Sequence, residues 1–234
     1  MKVAVISDIH GNSYALEQVL KTAQKEKVSK LLVLGDLVGY YYHPDKILDM
    51  LSNWDCELIR GNHEDLLAAM LEGHVAESEL RIKYGSGHRM AAEKLNATQL
   101  DQITKAAVSK KVTINGVHFA MYHGSPWDHD KYLYPDTATE TLEQCNDETA
   151  DFVLIGHSHY AFLHRNTSST LINVGSVGQS RSMGGVANWT LIDTTNKSIQ
   201  MKSTPYDTKQ LLAEVNQIDP AINYLKEILT RNRN

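Results

Sequence analysis

The feature that most restricts how this chain can fold is a series of short apolar runs, each closed by polar residues. VAVIS (3–7), LLVLG (31–35) and CELIRG (56–61) have the length and apolarity of buried strands. Behind the first, Leu16, Val19, Leu20 and Ala23 recur at helical spacing, with Asn12 or Ser13 placed to cap them. Behind the second, HPDKILDMLSN opens on a proline suited to a first helical turn and sets Ile47, Leu48 and Leu51 on one side. Behind the third, Glu64 and Asp65 stand where a helix dipole favours acids, ahead of Leu66, Leu67, Met70 and Leu71. Strand and helix in this alternation predict a parallel sheet with crossover helices.

Residues 74–109 contain no clear strand. They read as helices, SELRIKYGSGHRMAAEKLN and then TQLDQITKAA, the latter opened by a capping-box pattern from Thr98 to Asp101. Beyond them the chain turns β-rich. KVTINGVHFAMYHG reads as a hairpin with Asn115-Gly116 at its tip, and NWTLIDTTNKSIQMKS as another. DFVLIGHSH and TLINVGS are two more buried runs, and the tail from about residue 206 is helical, with Leu211, Leu212 and Val215 in register. No repeat or linker breaks this order, so residues 1–234 read as a single domain with a helical insert at about 74–109.

Composition removes several classes of function. At 42% hydrophobic and 22% charged residues the chain is of ordinary globular type. Its net charge is −5, with no dense Lys/Arg cluster, and Ser109-Lys110-Lys111 reads as a solvated strand entry. A module dedicated to duplex nucleic acid is therefore not expected, because such binding rests on a basic face that neutralises phosphates. Cys56 and Cys145 are the only cysteines, which supports neither a disulfide framework nor a thiolate zinc site. The opening MKVAVISDIHG is too short and too soon interrupted for a signal peptide. No apolar run reaches the roughly 18 residues of a membrane span. A cytoplasmic protein without a membrane partner is expected.

The polar residues that close the apolar runs carry the chemistry. The first run ends in Asp8 and His10, which would point to the same side of an extended strand. The second ends in Gly-Asp, giving Asp36, and the third in GNHE, giving Asn62 and His63. The return strand of the first hairpin ends in His123, and the run at 152–156 ends in GHSH, giving His157 and His159. Any one of these is ordinary turn chemistry. Five in succession, each behind a buried run, are not, since open α/β sheets build their sites beyond the carboxyl ends of their strands. The remaining histidines (43, 74, 88, 118, 129 and 164) have no such placement and read as structural or solvated.

Imidazole, carboxylate and one amide, without thiolate, suit Mn, Fe or Zn better than an all-oxygen Ca or Mg site. The set is too large for one catalytic zinc and divides between two metals with a shared carboxylate. Two such ions clamp the attacking and leaving oxygens of a displacement at phosphorus, so the constellation points to hydrolysis of a phosphate ester. Other hydrolytic signatures are missing: there is no G-x-x-x-x-G-K-[ST], no G-x-S-x-G and no H-E-x-x-H.

In order, D-x-H, GD, GNH[DE], H and GHxH resemble the pattern of the calcineurin-like metallophosphoesterase superfamily, over residues 8 to 159. GDLVGY lacks the D-R-G of phosphoprotein phosphatases, and NVGSVGQSR (173–181) resembles the NPGSVGxPR of a small bacterial and archaeal phosphodiesterase-like branch. The resemblance implies two facing mixed β-sheets flanked by helices, a four-layer α/β/β/α sandwich. It implies a first metal on Asp8, His10 and His159, a second on Asn62, His123 and His157, and Asp36 bridging them. Manganese is the first choice for both ions, with iron or zinc as alternatives. A metal-bridging hydroxide would attack phosphorus, with His63 neutralising the transition state or protonating the leaving oxygen. The substrate class implied is a small or nucleotide-type phosphodiester. A phosphomonoesterase, a nuclease, a dinucleoside-polyphosphate hydrolase and a non-enzymatic metal-binding scaffold are the alternatives.

Departures from the branch pattern add expectations of their own. Val174 and Ser180 replace both prolines of the signature, which predicts a less rigid loop around Arg181, a candidate phosphate contact. Tyr41 and Tyr42 in GYYYHP stand where the branch more often has Gly and Pro, and could stack on a nucleobase or simply pack. The insert, with Tyr84 and His88, and the loop SPWDHDKYLYP are expected at the rim, where Trp127 and Tyr132 could contact substrate but are rather expected to pack.

Overall fold

The computed structural model describes residues 1–232. The alternating first part is β1 (Lys2–Ile6), α1 (Ser13–Lys25), β2 (Val28–Val33), α2 (Pro44–Ser52), β3 (Cys56–Leu58) and α3 (Asn62–Leu71). Then come α4 (Glu77–Tyr84), α5 (Gly87–Lys94) and α6 (Ala97–Thr104). The second part holds β4 (Ser109–Ile114), β5 (Val117–Tyr122), α7 (Thr139–Glu143), β6 (Phe152–Ile155), β7 (Ala161–Arg165) and β8 (Thr170–Val174). A last hairpin, β9 (Val186–Asp193) and β10 (Ser198–Pro205), precedes α8 (Lys209–Ile218) and α9 (Asn223–Thr230).

The strands form two five-stranded mixed sheets, ordered β10-β9-β1-β2-β3 and β4-β5-β6-β8-β7. Parallel pairing joins β1 with β2 and β2 with the edge strand β3 in one, and the central β5 with β6 and β6 with β8 in the other. The pleat of β1 shows why its run is apolar throughout. Val3 and Val5 face the second sheet, among Phe119, Met121, Leu154 and Ile172. Ala4 and Ile6 face the helices, among Leu16, Val19, Leu20 and Ile47. Both faces are buried, and each large side chain so covered contributes about 1.5–3 kcal/mol. On its outer face the second sheet buries Ala120, Val153, Ile155 and Leu171 against Leu133, Leu142 and Cys145. The layers run helix, sheet, sheet, helix, as expected.

Local signals were followed in detail at most boundaries. Asn12 caps α1 by accepting from the Ala15 amide at 3.1 Å, and Pro44 opens α2. Asn115 and Gly116 both have positive φ, 50° and 76°, which gives the hairpin turn the twist its strands require. Three readings need correction. The capping box of α6 is Asn96 with Gln99, not Thr98 with Asp101, because Asn96 is the residue with extended backbone (ψ 168°) and both later residues lie inside the helix. The stretch from Ser78 to Asn96 is two helices, since Gly85 leaves the helical region at φ 72°. The edge strand β7 gave no pattern because only Phe162 of its five residues is buried.

The tail does more than cover the core. Its helices α8 and α9 bury Leu211, Val215, Leu225 and Leu229 against Tyr40, Tyr41 and Tyr42. Between them, the buried Asp219 carboxylate accepts from the Ser86 amide (2.8 Å), the Ser86 hydroxyl (2.7 Å) and the Tyr42 hydroxyl (3.1 Å). One acid therefore joins the tail, the α4–α5 junction and the tyrosine loop. Asp219→Ala should leave three buried donors without an acceptor, at a cost of about 1–3 kcal/mol or more. Urea unfolding should show a lowered midpoint at unchanged slope, and an unmoved midpoint would mean that this junction contributes nothing to stability.

Candidate metal centre

The residues singled out at the strand ends do converge, although not by strand geometry. β1 ends at Ile6 and β6 at Ile155, so Asp8, His10, His157 and His159 all lie in loops. Asp8, His10, Asp36, His157 and His159 adopt left-handed backbone, with φ between 51° and 65°, as does Tyr40 at 59°. Such backbone costs an L-residue roughly 1–2 kcal/mol and gathers at functional sites. These turns replace the expected extended Asp8-x-His10 pair, and they send the two GHSH imidazoles to different partners. His159 Nε2 lies 3.1 Å from His10 Nε2, whereas His157 Nδ1 lies 3.1 Å from His123 Nε2.

Backbone carbonyls fix the tautomers. A carbonyl can only accept, so His10 Nδ1 donates to Val38 O (2.9 Å), His123 Nδ1 to Leu34 O (2.7 Å) and His159 Nδ1 to Gln179 O (3.0 Å). His157 is turned round and donates Nε2–H to Asp130 O (3.1 Å). When these rings are neutral, as a metal ligand has to be, the nitrogen left bare is the one that faces inward. The interior is thus lined with acceptors in two groups. Asp8, His10 and His159 form one, and Asp36, His123 and His157 the other, with Asn62 Oδ1 3.0 Å from His123 Nε2. Asp36 Oδ2 serves both, 3.7 Å from His10 Nε2 and 3.3 Å from His123 Nε2. His63 is grouped with His10 and Asp36, and its amide donates to Asp36 Oδ1 at 2.9 Å.

Acceptors so close together, in a buried place, call for a cation. The buried Asp8 Oδ1 has no hydrogen-bond partner among the described residues, which fits a metal ligand better than a structural acid. The electrostatics agree. Burial opposes charge on both acids, yet the imidazole of His159 beside Asp8, and those of His123 and His63 beside Asp36, hold both carboxyls below the usual range. Burial likewise opposes a charged His123, but the adjacent Asp36 pushes it up to about 10. At His10 and His157 burial prevails and holds the rings down at about 4, and it keeps His63 well below the ordinary histidine range.

Glu64, an acid that the sequence explains by the helix dipole alone, proves to hold the centre of this arrangement. It is buried at the start of α3, where it accepts from the Asp36 (2.8 Å), Leu37 (2.8 Å), Val38 (3.3 Å) and Gly61 (2.7 Å) amides. Burial and the nearby Asp36 push its carboxyl up to about 7, against the pull of the Gly61 and Asp36 amides. Gly61 must be glycine, because a Cβ there would overlap Asp36 Oδ1. The only sequence signal for this role was an acid three residues beyond an N-cap glycine, the capping-box spacing.

The NVGSVGQSR loop supports the site from below. Ser176 donates to Asp8 O at 2.7 Å, and the backbone amides of Val177 and Gly178 bond to Ser7 and Asp8. The two missing prolines are compensated: Val174 ends β8 paired with Ala161, and Ser180 accepts from the Asn188 amide group at 3.0 Å. Arg181 lies against the outer side of His159, with Nε 3.4 Å from its Nδ1 and its guanidinium 5.4 Å from the Tyr224 ring.

Tyr41 and Tyr42 do not line the site. Both are buried beneath the tail, where their hydroxyls bond to Leu225 O and Asp219, so neither can stack on a ligand. Tyr40, also buried, backs the site histidines instead, with its ring 4.6 Å from His10 and 4.9 Å from His63. Trp127 and Tyr132 are correspondingly not packed but 45% and 49% exposed at the rim, Tyr132 lying 3.9 Å from the His157 ring. Of the six histidines left aside, His88 contacts His63 at 3.2 Å, and His129 pairs with Asp65 at 3.2 Å beside His123. His43 bonds Ser13 and Glu214, and His118 bonds Thr113, in structural roles as expected.

Replacing Glu64 by Gln would put an amide N–H against backbone N–H groups and loosen the Asp36 loop. Affinity for added Mn²⁺, followed by calorimetry, should fall about 10–100-fold with unchanged far-UV circular dichroism. Wild-type affinity in the variant would show that Asp36 is positioned without Glu64.

Comparison with known proteins bears on what such a centre is for. Over 100% of this chain the fold matches a hypothetical protein of Pyrococcus horikoshii OT3, covering 99% of it with a TM-score of 0.86 at 20% identity. A metallophosphoesterase of Sphaerobacter thermophilus matches over 98% of both chains, with a TM-score of 0.77 at 20% identity. A protein described as a novel archaeal phosphodiesterase matches 87% of this chain and 99% of its own length, with a TM-score of 0.53 at 17% identity. The family pattern of the calcineurin-like phosphoesterase superfamily domain matches residues 1–197. A match of that extent decides the family: the chain belongs to the calcineurin-like phosphoesterase superfamily.

Proposed function

We propose that this protein is a binuclear metal-dependent phosphoesterase that hydrolyses phosphodiester bonds in a small or nucleotide-type substrate. The observation that carries this reading is the pair of buried acceptor groups with Asp36 facing both. Asp8, His10 and His159 would hold one divalent ion, Asn62, His123 and His157 the other, and Asp36 both. Manganese is preferred, with iron or zinc as the alternatives for this donor set. When bound, the pair supplies Lewis acidity, an activated water and a clamp for the phosphoryl oxygens.

The other roles belong to the side chains. His63, walled by His10, Tyr40 and Tyr84, stands beside Asp36 to donate to a phosphoryl or leaving oxygen. Arg181, steadied on Tyr224, offers a cation to the phosphate. A cavity of about 370 Å³ opens next to the second group, lined by Asn62, Asp65, Leu66, Tyr84, Asp130, Tyr132 and His157. Its size suits a nucleoside-sized group, and tyrosine walls suit a planar one. Its mouth carries Asp65 and Asp130 rather than a basic groove, which argues against long nucleic acids. The diester preference follows the phosphodiesterase-like branch that NVGSVGQSR resembles and the archaeal phosphodiesterase of the same fold.

The chain is taken to work as one domain, with residues 74–109 as its helical insert against α2 and α3. No helix among the described residues is long and apolar enough to cross a membrane. Free Cys56 and Cys145 favour the reducing cytoplasm.

The test is hydrolysis of bis-p-nitrophenyl phosphate and p-nitrophenyl phosphate by protein of measured metal content, with and without Mn²⁺. Diester turnover should require metal and stop on chelation. It should fall about 10²–10⁴-fold in His63→Ala and at least as far in Asp36→Asn. Preference for the monoester would make the protein a phosphomonoesterase. About two metals per chain without turnover of either ester would point to a narrow substrate such as a dinucleoside polyphosphate. Neither metal nor turnover after reconstitution would overturn the reading in favour of a scaffold.

A further inference from the structure

His63 is enclosed by rings, and two of them, Tyr84 and His88, belong to the insert. His10, Tyr40 and Tyr84 meet it with centroids 4.8–4.9 Å away, and Gly39 packs so close that a Cβ there would overlap Nδ1. His88 of α5 lies nearly parallel to it, 9° between planes and 5.0 Å between centroids. Its Nε2 is 3.2 Å from His63 Nδ1.

A hydrogen bond between two imidazoles needs one proton, which could come from either ring. The far side of His88 decides which. Its Nδ1 is buried and has no hydrogen-bond partner among the described residues. A proton on that Nδ1, in a neutral or a charged ring, would therefore have no acceptor. Were His63 Nδ1 the donor, the proton of His88 would sit on its Nδ1 as a buried N–H with no acceptor. Orphaned N–H groups of that kind are rare and cost about 1–3 kcal/mol. With the proton on His88 Nε2, the orphan is only a bare ring nitrogen.

We infer that His88 is a positioning residue: its Nε2–H donates to His63 Nδ1 and fixes the neutral His63 ring as the Nε2–H tautomer. His63 then meets the substrate as a hydrogen-bond donor rather than as another acceptor in a site already crowded with them. No proton has to leave His63 for this to matter. A neutral imidazole that donates can stabilise charge developing on a phosphoryl or leaving oxygen. The use of the donor rests on the phosphoesterase reading; the tautomer itself does not.

Both parts can be measured on zinc-loaded, ¹⁵N-labelled protein. Long-range ¹H–¹⁵N spectra of the imidazoles, assigned with a His63 variant, should show His63 as the Nε2–H tautomer. His88→Phe keeps a stacked ring but removes the bond, and should give a mixture of His63 tautomers. With the aryl diester, kcat should fall about 10–100-fold in His88→Phe at unchanged KM and metal content. His88→Gln, whose amide can still donate, should recover part of both. An Nδ1–H tautomer in the wild type would overturn the inference. So would a His88→Phe protein with the wild-type tautomer and kcat, which would leave His88 as packing alone. Should His88→Phe fail to fold, the wild-type spectrum together with His88→Gln decides the matter. Absence of aryl-diester turnover in the metal-loaded wild type would count against the diester reading alone, while the spectrum would still report on His88.

Discussion

Buried acceptors that face one another without a donor repel, and the rest of this molecule is arranged to hold them together. Bare imidazole nitrogens stand 3.1 Å apart in two places, with the carboxylates of Asp8 and Asp36 between and beside them. The attraction of Asp36 for His123 offsets part of this repulsion, and a cation would offset the rest. The restraint comes from outside the cluster. Three main-chain carbonyls, two of them from the loop between β2 and α2, orient His10, His123 and His159, the Asp130 carbonyl orients His157, and Glu64 gathers four amides beneath Asp36. Left-handed backbone at five of the clustered residues is part of the same cost.

The two sheets divide this work. The first delivers Asp8, His10, Asp36, Asn62 and His63 from the ends of β1, β2 and β3; the second delivers His123, His157 and His159 from the ends of β5 and β6. The cluster therefore spans the apolar seam between them, and its spacing depends on how Val3, Val5, Leu32 and Leu34 pack on Phe119, Met121 and Leu154. The insert and the tail add a second enclosure. α4 and α5 bring Tyr84 and His88 against His63, while α9 brings Tyr224 under Arg181. Asp219 ties these two additions to each other.

Much of this was legible in the residues, for reasons that are local. A buried strand must be apolar on both faces and must end where polar residues begin, so VAVIS, LLVLG and FVLI mark both the strands and the places where ligands leave them. Caps and turns such as Asn12, Pro44 and Asn115-Gly116 act within a few residues of themselves and could be read in place. Where a signal was ambiguous at short range the reading slipped, as at the Asn96 cap, the Gly85 break and the thinly buried strand β7.

By itself the sequence determined the order of strands and helices, the residue types of the site and their positions at strand ends, because each depends on neighbours along the chain. Only the tertiary structure decided which ring nitrogen faces inward, because the carbonyls of Gln179 and Asp130 that turn His159 and His157 come from other loops. It also decided that of the three tyrosines buried beneath the tail only Tyr40 turns its ring toward His10 and His63, since that tail begins more than 160 residues later. Glu64 and His88 belong to the same class. An acid in a first helical turn and a lone histidine look ordinary until long-range packing has brought four amides to one and His63 to the other.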